Sequence, residues 1–165
     1  MIDDFSMRAK QIVFAARFSA GERGANVIDV EDFLLGLVLE DQGMLEKNLF
    51  SKLDDGHGTL LNMAPSHLPF FSQEEAKNLM TSIEALQTQS KPIGLAADIP
   101  LSPALERAFG SAKDFQVHFH HSQIEPLHLL AGILTEESSQ GVKLLQELGI
   151  TREKVLQQLR SATEN

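Results

Sequence analysis

The chain of 165 residues carries 14 Lys plus Arg against 23 Asp plus Glu, a formal charge of −9, and has no cysteine, tryptophan or tyrosine. No disulfide framework, thiolate nucleophile or sulfur-ligated zinc site can be built from it. Phosphate backbones and anionic membranes are recognised through Lys and Arg, so neither nucleic acid nor a membrane is an expected partner.

Helical periodicity runs through the sequence. The first predicted helix covers about 6–23 and the second 30–40, with Asp29 as its cap and Asp32 in its first turn, where carboxylates suit the helix dipole. A third is predicted over 43–53. Residues 54–71, rich in Gly, Pro and His, read as a long loop. Ser72 and Glu75 form a capping box for a helix over 72–89. A linker over 91–100 has proline at both ends of its core. Ser102-Pro103 then opens a helix to about 119, Pro126 opens one to about 137, and 139–148 forms another, stopped by Gly149. Thr151 caps a last helix to about 162. No strand alternation is present, and the expected fold class is all-α.

The halves are related. At a constant offset of 96, Ser6 matches Ser102, Ala16 matches Ala112, Ile28 matches Ile124 and Leu34 matches Leu130. Gly36 matches Gly132, Glu40 matches Glu136 and Leu49 matches Leu145, with no gap from residue 5 to 49. This predicts two pseudo-symmetric four-helix repeats in one globular domain, the first over about 5–90 with an inserted loop at 54–71, the second over about 101–162. Glycine inside a helix is unfavourable by about 1 kcal/mol relative to Ala, so Gly36 and Gly132 predict close approach of helices.

In the first repeat Gly24, Ile28, Glu31, Leu34, Leu35, Gly36, Leu37, Glu40 and Gly43 fall in order. In the second, His121, Ile124, His128, Leu129, Leu130, Gly132, Glu136, Leu145, Leu148, Gly149 and Ile150 do so after a Leu101-Ser102-Pro103 opening. The pattern resembles the double Clp repeat domain at the N-terminus of Clp-type AAA+ unfoldases. The resemblance implies a non-catalytic protein-binding module whose partners are protein substrates, adaptor proteins or an AAA+ unfoldase. In some members of that family the glutamate at the start of the repeat's second helix helps to bind phosphoarginine on substrates. Glu31 keeps this acid, whereas Leu127 stands in its place in the second repeat. Asp32 replaces the family's histidine, which His128 retains. No G-x-x-x-x-G-K-[ST] phosphate loop occurs, so no nucleotide hydrolysis is expected.

The first helix has two apolar faces. Phe5, Ala9, Ile12, Val13, Ala16 and Ala20 form one stripe, and Met7, Phe14 and Phe18 lie opposite. Either Leu68, Phe70 and Phe71 fold back over the second face, or it is a docking patch or homodimer interface. The expected partner-binding residues are Glu31, Asp32, Ser6, Met7, Phe14 and Phe18. A competing reading is an oligomerising structural or regulatory helical protein that has lost substrate recognition. His118 and His121, three apart with Glu125 nearby, could suit a metal, but a polar helix end explains them more simply. No metal, cofactor or catalytic residue is expected. The opening MIDDFSMRAK is acidic where a signal peptide is basic, and a cytoplasmic protein is expected.

Overall fold

A computed structural model describes residues 3–45, 68–94 and 98–164. Seven helices are seen there: α1 (Met7–Glu22), α2 (Val30–Asp41), α3 (Gln73–Leu86), α4 (Pro103–His118), α5 (Pro126–Ile133), α6 (Gln140–Glu147) and α7 (Arg152–Glu164). The described part of the chain is all-α, as the sequence predicts. Residues 46–53 of the helix predicted over 43–53 and most of the loop predicted over 54–71 lie outside the described residues; of 43–45 only Leu45 is helical.

Local chemistry sets most helix ends. Ser6, Ser72 and Ser102 each accept a hydrogen bond at Oγ from the amide three residues on, so three helices begin on a serine cap. Gly149 has φ of +79° and ends α6, the left-handed geometry that glycine adopts without strain. Two helices are shorter than periodicity predicts. The helix from Pro126 ends at Ile133 because Thr135 turns back, its amide and its hydroxyl both donating to the Gly132 carbonyl. The helix after Ser72 ends at Leu86 because Gln87 adopts extended backbone and sends its side-chain amide to Asp32. Apolar spacing does not register either event, since each depends on a polar group competing for the backbone.

The internal symmetry is visible in hydrogen bonds. Ser6 N donates to the Ile124 carbonyl at 3.0 Å, and Ile124 N donates to Asp4 O at 2.8 Å. Ninety-six residues on, Ser102 N donates to Ile28 O and Ile28 N to Pro100 O, both at 2.8 Å. Each half thus pairs the residue before its first helix with the residue before the other half's second helix, in two isolated parallel bridges, Phe5 with Ile124 and Ile28 with Leu101. One core runs through both halves. At its centre Phe109 meets Phe5 and Phe33 edge-on, with ring centroids 5.6 and 5.1 Å apart.

The two helix glycines do what their positions predict. A Cβ on Gly36 would lie 3.1 Å from Ile12 O and 3.3 Å from Ala16 N. On Gly132 it would lie 2.2 Å from Ala108 O and 3.1 Å from Ala112 N, the same partners 96 residues later. Gly132→Ala is therefore expected to lose about 2 kcal/mol net of the gain in helix propensity, because a backbone oxygen cannot move aside. Gly36→Ala is expected to lose less than half as much. Urea midpoints of the two variants check the order.

The second face of α1 is covered only in part, since Met7 and Phe14 stay exposed. Phe18 is buried, in a small cluster with Ala15 and Leu45 and with Leu39 packed against it. Phe71 is buried in the main core instead, Phe70 packs against that core, and Leu68 is 92% exposed. The reason is Asp41, whose carboxylate accepts the amides of Phe70 at 2.7 Å and Phe71 at 3.1 Å and so ties them to the end of α2.

Candidate functional site

The start of α2 concentrates the acids named by the sequence. Asp29 caps the helix and, with Asp32, makes a capping box. Asp32 is fully buried. Its Oδ1 accepts from Arg23 Nε at 2.9 Å, Gln87 Nε2 at 2.9 Å and Ser19 Oγ at 3.4 Å; its Oδ2 accepts from Arg23 Nη2 at 2.7 Å and Asp29 N at 3.0 Å. The hydrogen bond to Asp32 raises the pKa of the Arg23 guanidinium further above its ordinary value. Asp32 is spent inside the fold and presents no oxygen to a partner.

Glu31, one residue earlier, is half-buried and points to the other half of the chain. Its Oε1 accepts Ser139 Oγ and Gly141 N, both at 3.1 Å, at the N-terminus of α6. Its Oε2 has no hydrogen-bond partner among the described residues. Glu31 lines a groove of about 430 Å³ together with Asp29, Arg23, Gln87, Glu136 and Ser139. Of the three acids there, Asp29 spends Oδ1 on Val30 N and Ser102 Oγ, and Glu136 spends Oε1 on Arg107. The one cation lining the groove, Arg23, is committed to Asp32. The groove therefore offers acceptor oxygens to a cationic donor.

The internal symmetry carries this groove onto a second one. Asp29, Val30, Glu31 and Ala104 line the first; Glu125, Pro126, Leu127 and Arg8 line a larger groove of about 900 Å³. There Leu127 replaces the acid. Asp32 itself corresponds to His128, and both are buried third residues of capping boxes. The histidine solution needs no counter-ion. Glu125 N donates to His128 Nδ1 at 2.8 Å, so a neutral His128 carries its proton on Nε2 and donates it to His121 Nδ1, also at 2.8 Å. Burial first, and the His121 imidazole second, push His128 down to about 4. His121 thus pairs with His128 rather than His118, whose ring lies against Phe119. Among the described residues no group of three or more His, Asp or Glu is placed to hold a metal.

The remaining sequence-predicted residues are not brought together with Glu31. Ser6 is buried and caps α1. Phe18 is buried, while Met7 is 48% and Phe14 39% exposed. Sequence reasoning missed Ser139 and Gly141 as partners of Glu31. Nothing local marks them, since more than 100 residues separate them from it.

Comparison with known proteins shows what the chain is similar to. Residues 100–165 match the Clp repeat (R) N-terminal domain. The chain is 27% identical over 159 residues to the chaperone protein ClpB of Oceanobacillus iheyensis, covering 96% of this chain and 17% of that protein. Among solved structures, the N-terminal domain of the ClpD chaperone of Arabidopsis thaliana superposes with a TM-score of 0.62 at 18% identity, over 100% of this chain and 97% of that one. The Hsp104 N-terminal domain of Candida albicans gives 0.63 at 14% identity, over 95% and 89%. The second half of the chain thus matches the Clp repeat N-terminal domain, and the described fold is similar to the N-terminal domains of ClpD and Hsp104.

Proposed function

We propose that the chain is a non-catalytic docking module that delivers protein substrates or adaptors to a Clp-type unfoldase, and that the Glu31 groove takes an arginine side chain of the partner. The open oxygen of Glu31, in a groove whose cation is already neutralised, carries this reading. A guanidinium there gains charge-assisted hydrogen bonds to Glu31 and to the unspent oxygen of Glu136. A phosphorylated arginine adds an anion, for which Arg23 offers only Nη1, the nitrogen left out of its two bonds to Asp32. In this proposal the halves, about 5–90 and 101–162, are copies of one repeat, and only the first keeps the acidic site. Met7 and Phe14 add apolar contact area along α1. The proposed site of action is the cytoplasm; no described helix is long and apolar enough to cross a membrane.

Calorimetric titration tests the reading with arginine amide, a phosphoarginine peptide and the matching lysine peptide. One saturable site preferring the arginine ligands is expected. Glu31→Gln keeps an acceptor for Ser139 and Gly141 but removes the charge, and it is expected to weaken binding at least tenfold, since a hydrogen bond to a charged group contributes about 1.5–3 kcal/mol. Equal affinity in Glu31→Gln would discard the Glu31 groove as the site.

A further inference from the structure

We propose that Glu31 is an exchangeable cap, so that a guanidinium filling the groove hands the N-terminus of α6 from Glu31 to Ser139. The proposal rests on the guanidinium reading for its trigger, but not for the exchange itself. Ser6, Ser72 and Ser102 each cap their own helix through Oγ. Ser139 also stands at an N-cap, with extended backbone at φ −69° and ψ 136°, yet its side chain makes no capping bond. Its hydroxyl donates to Glu31 Oε1 instead, and that same oxygen accepts the Gly141 amide. A carboxylate of one half thus caps a helix of the other.

This arrangement conflicts with a guanidinium ligand. Bidentate pairing uses both carboxylate oxygens, and Oε1 already holds two donors, the complement of its lone pairs. A guanidinium nitrogen on Oε1 is a third donor; Asp32 Oδ1 accommodates its own third donor only at 3.4 Å, so full engagement of Glu31 favours release of one of them. Ser139 can leave because rotation about χ1 turns Oγ toward the Val142 amide, three residues on, the bond its three counterparts make. Before the exchange Glu31 accepts from Ser139 and Gly141. Afterwards it accepts from the ligand, and Ser139 accepts from its own helix. Only the hydroxyl hydrogen of Ser139 gives up its acceptor, and it is half-buried, within reach of water, so the two states lie close in free energy and a modest ligand preference selects between them. Gly141 sits tightly here: a Cβ on it would lie 3.2 Å from Leu34 Cδ2. Release of Glu31 therefore acts where α6 meets α2, and occupancy of the groove is coupled to how the two halves are joined.

Amide hydrogen exchange at Gly141 and Val142 in the full chain, followed by NMR, tests the exchange. If either cap can serve, Glu31→Ala and Ser139→Ala each lower protection less than about threefold, while the double variant lowers it roughly tenfold or more, the loss of a whole cap. Additive single effects, or one single variant giving the full loss, would overturn the proposal. In the wild type, saturating arginine amide is expected to move the Gly141 amide resonance toward its position in Glu31→Ala. Binding that leaves this resonance in place also overturns it. Failure of arginine amide to bind removes the guanidinium reading, while the two-cap redundancy is still decided by the variants.

Discussion

Asp32→Ala is expected to destabilise the protein by about 3–5 kcal/mol, with a fall in melting temperature of roughly 10 °C for a chain of this size. The carboxylate is fully buried and holds Arg23 through two hydrogen bonds, with the Arg23 side chain only 14% exposed. Its removal leaves a guanidinium in a largely dry site and strands the side-chain amide of Gln87, which anchors the end of α3. A buried charge losing its partner is costly mainly through the desolvation of what remains. Urea denaturation measures the effect, and a double-mutant cycle with Arg23→Ala separates the pair from the rest of the network. The double variant is expected to be less destabilised than the sum of the singles. A cost below about 1 kcal/mol for Asp32→Ala would mean that water reaches Arg23 freely and that the buried network does not hold α1, α2 and α3 together. Asp32→His, which copies the residue at the symmetric position, is expected to be no better tolerated, since Arg23 would face an imidazole with no negative charge.

Stability is expected to fall on acidification between about pH 6.5 and pH 4, and His128 is the cause. In the unfolded chain this histidine takes up a proton near its ordinary pKa of 6.5; in the folded protein it stays neutral down to about 4. Above pH 6.5 both states are neutral and the group contributes nothing to the pH dependence. Within the window the unfolded state binds one more proton, so stability drops by about 1.4 kcal/mol per pH unit, to a total of about 3 kcal/mol. Free energies of unfolding from urea titrations at pH 7, 6, 5 and 4.5 provide the slope, largely above the range where carboxylates titrate. His128→Gln retains an acceptor for the Glu125 amide and is expected to flatten the curve. An unchanged slope in that variant would assign the acid sensitivity to other groups.

Together these two residues show how differently the halves solve one problem. The third residue of the second helix's capping box is buried in both halves. One half fills it with an acid and supplies Arg23 as counter-ion, the other with a neutral imidazole and supplies His121. The sequence marks Asp32 only as a departure from the Clp repeat pattern, and that departure makes it look available to a partner. Arg23 lies nine residues away across a turn and Gln87 fifty-five, and side-chain identity alone does not reveal that they converge on one carboxylate.

What the sequence determined by itself is the part governed by local and periodic rules. Apolar spacing, serine caps, Pro103 and Gly149 set the helices and most of their ends. The offset of 96 predicts two related halves, and two glycines in apolar helices announce close approach of helices. Glu31 stands out because its counterpart is Leu127. Tertiary structure alone decided what the polar groups do. It buried Asp32, closed Phe18 under Leu45 and Leu39, drew Phe70 and Phe71 to Asp41, paired His121 with His128, and gave one oxygen of Glu31 to α6. Helix formation depends on neighbours within a turn or two, which the sequence contains. The availability of a charged side chain depends on burial and on donors brought from distant segments, which exist only once the chain has folded.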